Sequence, residues 1–315
     1  MQIVVLDAKT LAGTDLSALS QLGEITVYQT TNSEQLLERC QHAEVIVTNK
    51  VKLDATSLAQ LAKLKLICVA ATGVNNVDLD AAKAQQVAVT NVAGYSTPSV
   101  VQHTFTMLGN LLTNIHRYQQ DCQAGRWQQS DIFCRLDYPI AEIHNKNFVI
   151  VGYGALGQAV ARVADAFGAN VIIAERKGAT EVRSGRQAFT QALAKADIVS
   201  VHCPLTSETN DLIAADTLAL IPESAVIINT ARGGIINEYD LAQALQQGQI
   251  AGAAVDVLSQ EPAQPDNPLL QYQGDNLLLT PHTAWASQEA IIRLVNEIAA
   301  NIRAFKQGEQ RNRVA

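Results

Sequence analysis

An arginine, an acid and a histidine each follow a separate apolar run in the second half of this 315-residue chain. Arg232 lies in "TARGGIIN" after "AVIIN", Glu261 in "DVLSQEP" after "AGAAV", and His282 in "TPHTAWAS" after "NLLL". Together these side chains suit the interconversion of a 2-oxo acid and a 2-hydroxy acid. Such a substrate needs a cation for its negative charge, a proton donor for its carbonyl oxygen and a hydride donor for its 2-carbon. Arg232 offers a bidentate fork for carboxylate and carbonyl. His282 can give the proton, because imidazole titrates near neutral pH. Glu261 would stabilise the imidazolium and fix the ring. A lone histidine at a strand end is more often a structural hydrogen-bonder, and only the three residues together point to this chemistry. Gly233 and Gly234 beside Arg232 suggest a tight backbone around something bound.

A hydride donor is implied upstream. "FVIVGYGALGQAVARVADAFGANVIIAE" places Gly152, Gly154 and Gly157 in G-x-G-x-x-G spacing between a strand-like and a helix-like run, the context that gives this motif meaning. The first glycine makes the turn, the second admits a diphosphate, and the third lets helix and strand pack closely. The diphosphate would rest on amides near Ala155 and Leu156, at the helix start. Glu175 ends the next strand, close to the ~20-residue spacing expected of the acid that holds an adenosine ribose. A carboxylate there favours NAD over NADP, while Arg176 and Lys177 beside it leave NADP open.

The elements that must position these residues alternate. Strand-like runs occur at 3–7, 25–29, 45–49, 66–70 and 87–91, and again at 147–152, 170–175, 197–202, 225–230, 251–256 and 276–280. Helical patterns lie between them, with Ser33 and Asp54 as N-caps. Strands bracketed by helices indicate βαβ units and parallel sheets. One long helix over 99–125, stopped by Gly125, separates two such sets. The last helix, about 286–306, follows the second set and has no sheet of its own, so it is expected to return to the first. The fold class is therefore α/β with two doubly wound parallel sheets, one domain inserted in the other. The expected boundaries are 1–98 with 285–315, and 99–284.

Bulk properties exclude several alternatives. Hydrophobic residues at 48% and charged residues at 17% are those of a globular chain. The net charge of −7 and the lack of a basic stripe argue against nucleic acid, and "ERKGATEVRSGR" at 175–186 reads as a solvated surface. Five scattered cysteines without C-x-x-C spacing argue against a disulfide framework and a metal site. Cys68 and Cys203 read as core residues. "MQIVVLDAKT" reads as a first strand and not as a signal peptide, and no window is apolar enough to span a membrane. A soluble, cytoplasmic protein is expected.

The combination of "GYGALG", "TARGGIIN", "DVLSQEP" and "TPHTAWAS", with "ATGVNNVD" and "NVAGYSTPSVVQHTF" upstream, resembles the D-isomer-specific 2-hydroxyacid dehydrogenase family over nearly the whole chain. The resemblance implies a Rossmann cofactor domain inserted into a flavodoxin-like substrate domain. It implies catalytic roles for Arg232, Glu261 and His282. It also implies cofactor contacts at Thr97, Ala155, Leu156, Glu175, Thr230, Ala231, Arg232 and Asp256, and a substrate-carboxylate loop at Thr72, Gly73 and Val74. "DYPI" and "PHTAWASQEA" are similar to the glycerate dehydrogenase, or hydroxypyruvate reductase, branch. Trp285 would either wall the pocket against larger acids or pack ordinarily. The implied reaction is reversible reduction of hydroxypyruvate or glyoxylate to D-glycerate or glycolate by NADH, with the nicotinamide in a cleft between domains. Alternatives are substrate choices like those of phosphoglycerate dehydrogenase or D-lactate dehydrogenase, and a nucleotide-sensing, co-repressor-like binding protein. Little sequence follows the last helix, so no regulatory domain of the kind often appended to phosphoglycerate dehydrogenase is expected. The family is commonly dimeric through the cofactor domain, and the irregular 118–145 segment with Trp127, Phe133 and Tyr138 is a candidate arm.

Overall fold

A computed structural model describes all 315 residues. The chain forms two compact units, Met1–Ser96 with Ala286–Ala315 (unit 1) and Thr97–Trp285 (unit 2). Unit 1 holds β1 (Gln2–Val5), β2 (Glu24–Val27), β3 (Val45–Thr48), β4 (Leu66–Val69) and β5 (Ala88–Thr90), all parallel, in the order β2-β1-β3-β4-β5. The central strands β3 and β4 are buried throughout, as a parallel sheet covered on both faces requires. The helix Gln288–Lys306 packs on β4 and on the short helix Ser17–Ser20. Its stripe of Ile291, Leu294, Val295, Ile298 and Ile302 repeats at helical spacing and is buried.

Unit 2 holds β6 (Asn147–Val151), β7 (Asn170–Ala174), β8 (Ile198–Val201), β9 (Val226–Asn229), β10 (Gly252–Val255) and β11 (Leu277–Leu279). They form a parallel sheet in the order β11-β10-β9-β8-β6-β7. Gln187 makes an isolated parallel bridge to Ala174 outside β7. That single residue stands where a doubly wound dinucleotide fold would have its third strand. Because strand side chains alternate, the sheet buries two cores. Val149, Val199, Ile227 and Ala253 face one, and Phe148, Ile150, Ile228 and Ala254 the other.

Three local expectations change. The helix over 99–125 is two helices, Thr97–Thr113 and Ile115–Gln123, separated by Asn114 in the left-handed conformation (φ 51°). Asparagine is among the few residues that tolerate this backbone. The cap of the helix Ser33–Cys40 is Asn32, not Ser33: its Oδ1 accepts from the Gln35 amide at 3.0 Å while Gln35 Oε1 accepts from the Asn32 amide at 3.2 Å. The helical run after the Asp54 cap extends only over Ala55–Leu58. No helix is long and apolar enough to cross a membrane.

Candidate active site

In unit 2 the chain leaves β6 for β7 on one side and later returns to β8 on the other, so the ends of β6 and β8 flank a crevice where such folds bind ligands. The glycine loop fits a dinucleotide there. Gly152 has φ 96°, and a Cβ on it would lie 2.4 Å from the Cys203 amide nitrogen. A Cβ on Gly157 would lie 2.1 Å from the Gly152 carbonyl oxygen, so the third glycine lets helix and loop touch. A Cβ on Gly154 would meet nothing within 4 Å, leaving the approach open. Gly154 caps the helix Ala155–Ala166 without any side-chain hydrogen bond. The first amides, at Ala155 and Leu156, are thus available to an anion.

The crevice wall includes a group that sequence reading passed over. His202 is buried, with Nε2 2.8 Å from Ser200 Oγ and Nδ1 without a partner. Burial pushes its imidazole down to about 3. Burial likewise pushes the neighbouring half-buried Cys203 thiol up to about 11.

The second cluster sits beyond β9, β10 and β11. These neighbours are in register at Asn229, Val255 and Leu279, so their following loops start side by side. His282 Nδ1 lies 2.6 Å from Glu261 Oε2, and Glu261 Oε1 accepts from the Leu258 amide at 3.0 Å. The carboxylate therefore takes the Nδ1 hydrogen and leaves Nε2 as the outward nitrogen. His282 has φ 54°, a left-handed backbone that must be held from outside. Its amide donates to the Asp256 carbonyl at 2.8 Å, and Trp285 Nε1 donates to its carbonyl at 2.9 Å.

Asp256 was expected to contact the cofactor; its carboxylate is instead occupied by the loop that carries His282. Oδ1 accepts from Thr280 Oγ1 at 2.5 Å and the Thr283 amide at 2.9 Å, and Oδ2 accepts from the Ala284 amide at 2.9 Å. Burial would raise this carboxyl, but hydrogen bonds from His103, Thr280 and the two amides outweigh it and hold it below its ordinary range. His103, whose Nε2 is 3.0 Å from Thr280 Oγ1, gave no signal in the sequence beyond its place on an amphipathic helix.

Arg232 is exposed, and its Nη1 donates to the Ala231 carbonyl at 2.7 Å. Asn229, also missed, organises this loop: Nδ2 donates to the Arg232 carbonyl at 2.9 Å and Oδ1 accepts from the Ala231 amide at 3.0 Å. Its position directly before "TARGG" was the available clue. A Cβ on Gly233 would lie 1.9 Å from the Leu258 carbonyl, so the Arg232 loop packs directly on the loop that carries Glu261. Thr230 is buried, 3.0 Å from Thr104 Oγ1, and Thr97 begins the helix Thr97–Thr113.

Glu175, the expected ribose-binding acid, follows β7, and its carboxylate is engaged by its own loop. Its Oε2 accepts from Arg183 Nε at 2.7 Å and the Arg183 amide at 3.2 Å. Its Oε1 accepts from the Arg176 amide at 2.9 Å and from Arg183 Nη2. These bonds hold the carboxyl far below the usual range. The 175–186 stretch, read as a solvated surface, thus contains a buried acid folded onto by its own loop. In unit 1, Thr72, Gly73 and Val74 form the loop after β4, where Asn91 Nδ2 donates to the Thr72 carbonyl at 2.7 Å.

Comparison with known proteins agrees with this geometry. Residues 105–284 match the description "D-isomer specific 2-hydroxyacid dehydrogenase, NAD binding domain". The chain is 38% identical over 312 residues to a glycerate dehydrogenase of Methylorubrum extorquens, covering 99% of this chain and 98% of that one. It is 34% identical over 320 residues to a hydroxypyruvate reductase of Blautia hydrogenotrophica, covering 99% of each. Among solved structures, an acyclic imino acid reductase in complex with NADPH and D-Arg matches with a TM-score of 0.87 at 26% identity over 100% of both chains.

Proposed function

The chain belongs to the D-isomer specific 2-hydroxyacid dehydrogenase family, and from that premise we propose that it reduces hydroxypyruvate or glyoxylate to D-glycerate or glycolate. It is a nicotinamide-dependent oxidoreductase. The observation that carries the assignment of roles is the 2.6 Å His282–Glu261 pair, built on strand ends beside that of Arg232.

Arg232 holds the substrate's carboxylate and carbonyl oxygen through its planar fork. His282 gives a proton from Nε2 to the carbonyl oxygen, and Glu261 balances the charge at Nδ1. Reduced nicotinamide, when bound, supplies the hydride to the 2-carbon. In the reverse direction neutral His282 Nε2 takes the hydroxyl proton. Thr72, Gly73 and Val74 are proposed to face the substrate carboxylate, supported by a loop in which the Gly73 and Val74 amides donate to no other group of unit 1. Asp256 fixes the height of His282 and in this reading is a positioning residue. The curated relatives' names, together with the intact His282–Glu261 pair, favour a dehydrogenase over a sensor without activity.

The protein is further proposed to be a cytoplasmic homodimer. Support for the location is that all five cysteines are free. Support for the dimer is the run of exposed apolar side chains at Ile115, Trp127, Ile132, Phe133, Leu136 and Ile140, of which Phe133 is 90% exposed. Tyr138 is not in that set. Its ring packs on Tyr118 at 5.0 Å beneath Arg117, and its hydroxyl donates to Asp121 at 3.1 Å. Light scattering of Phe133→Glu with Leu136→Glu is expected to report monomers where the wild type reports dimers.

The deciding experiment monitors reduced-coenzyme absorbance with hydroxypyruvate, glyoxylate, pyruvate and phosphohydroxypyruvate. Hydroxypyruvate is expected to give the highest kcat/KM. In His282→Ala, kcat is expected to fall by roughly 100-fold to 10,000-fold with coenzyme affinity unchanged. Silence on the whole panel, or wild-type turnover in that variant, would reject the assignment.

A further inference from the structure

The proposed coenzyme site carries a selector that reverses the expectation drawn from Glu175. A carboxylate offers about four lone-pair directions. Glu175 commits all four: to the Arg176 amide and Arg183 Nη2 on one oxygen, and to the Arg183 amide and Nε on the other. Arg186 Nη1 lies a further 3.7 Å from Oε1. The Glu175 side chain is 2% exposed, whereas that of Arg183 is 52% exposed. The end of β7 therefore presents a guanidinium outward, not an acid.

The backbone makes this arrangement deliberate. The Glu175 amide donates to the Gln187 carbonyl at 2.8 Å, and the Gln187 amide donates to the Ile173 carbonyl at 2.9 Å. That bridge turns the 176–186 loop back over the strand end. The loop brings the guanidinium groups of Arg183 and Arg186 to a single buried carboxylate, to which Arg176 donates only its backbone amide, while Lys177 is drawn away to Asp216 at 2.9 Å. The guanidinium groups of Arg183 and Arg186 outnumber this one acid, and the loop also carries the exposed, oppositely charged Arg176 and Glu181.

We propose that Arg183, anchored by Glu175 and assisted by Arg186, is a receptor for the 2′-phosphate of NADP, so that this chain uses NADPH in preference to NADH. Two of the five guanidinium N–H donors of Arg183 are spent on Glu175, and three remain for phosphate oxygens. A 2′-hydroxyl meets the reverse situation. It finds no free carboxylate lone pair, and reaching one requires prising a two-pronged ion pair from a buried acid. The acid's role is thus to hold the arginine in place.

The inference rests on the reading that unit 2 binds a nicotinamide dinucleotide, and its test is separable from turnover of any 2-oxo acid. Isothermal calorimetry compares adenosine 2′,5′-bisphosphate with 5′-AMP on the full-length protein. The bisphosphate is expected to bind about tenfold or more tightly than 5′-AMP, and that advantage is expected to shrink with added NaCl. Arg183→Ala, a change at an exposed side chain, is expected to weaken the bisphosphate by roughly 10-fold to 100-fold and to leave 5′-AMP unchanged or tighter. Arg183→Lys, which keeps the charge without the fork, is expected to fall between. Equal or tighter binding of 5′-AMP by the wild type overturns the proposal, as does an Arg183→Ala loss shared equally by both nucleotides. If both nucleotides bind as expected but no 2-oxo acid is reduced, only the substrate assignment fails. If neither nucleotide binds, the dinucleotide reading itself fails and takes this one with it.

Discussion

Both units are doubly wound parallel sheets with the same kind of switch point, yet only one is built to hold a nucleotide. In unit 1 the crevice lies between the ends of β1 and β3, and the chain fills it itself. Asp7, two residues past β1, accepts from the Asn49 amide at 3.0 Å, the Lys50 amide at 2.8 Å and Thr48 Oγ1 at 3.3 Å. In unit 2 the turn after β6 opens with Gly152, which has no side chain at all, and the open Gly154 follows two residues on. The next element differs too. Unit 1 continues into the short 3-10 turn Ala8–Leu11, and unit 2 into the twelve-residue helix Ala155–Ala166, whose amides point at the opening. Topology makes the crevice in both. An internal anion satisfies its donors in unit 1, and an external one is invited in unit 2.

The sharpest way to break this contrast is Gly152→Ala. The added Cβ needs a left-handed backbone and collides with Cys203. Coenzyme affinity, measured by fluorescence titration, is expected to fall about 100-fold or more. Wild-type affinity would show that the crevice of unit 2 is no more demanding than that of unit 1. Next in size is Asp7→Ala, which strands buried amides. It is expected to lower stability in urea by about 3 kcal/mol while adenine-nucleotide binding stays within about twofold of wild type. A variant with impaired binding and normal stability would reverse the roles assigned to the two crevices.

A pH experiment sharpens the comparison, because His202 borders only the crevice of unit 2. The unfolded chain takes up the imidazole proton near pH 6.5, and the folded one does not until about 3. The unfolded state therefore binds the extra proton between those values. Stability is lost as pH falls through that window, with a slope of at most ~1.4 kcal/mol per pH unit from this group. In His202→Asn the slope measured by thermal or urea unfolding is expected to flatten. An unchanged slope would mean that other groups carry the acid response. The smallest effect is expected for Trp285→Phe, which removes the 2.9 Å bond to the His282 carbonyl. About 1 kcal/mol, or a few-fold in kcat, is expected. A change in substrate size preference without loss of kcat would instead make the indole a pocket wall.

Much of this was readable from the chain. All eleven strands coincide with short, mostly apolar runs, and the central ones β3, β4, β8 and β9 are apolar almost throughout because they are buried on both faces, whereas the edge strand β2 is largely exposed. The glycine loop is legible because Gly152 and Gly157 answer steric demands that a side chain would violate, while Gly154 leaves the approach open. Departures occur where a polar residue had local alternatives. Asn114 breaks the long helix although nothing around it signals a stop, and Asn32 takes the cap from Ser33 because Gln35 can complete a reciprocal pair. The pattern also named Glu175 and Asp256 as strand-end acids but not what they do. One is covered by Arg183, the other is spent on the His282 loop.

By itself, then, the sequence determined the alternation of elements, the glycine turn and the residue types placed just past each strand, since these depend on periodicity and on steric limits within a few residues. Tertiary structure alone decided which loops meet. Strand order sets β9, β10 and β11 side by side and so brings together the loops of Arg232, Glu261 and His282. The Gln187 bridge folds Arg183 onto Glu175. A side chain's hydrogen-bond partners lie in neighbouring loops rather than in neighbouring residues. Whether an acid faces a ligand or an internal donor is therefore fixed only once the sheet has assembled.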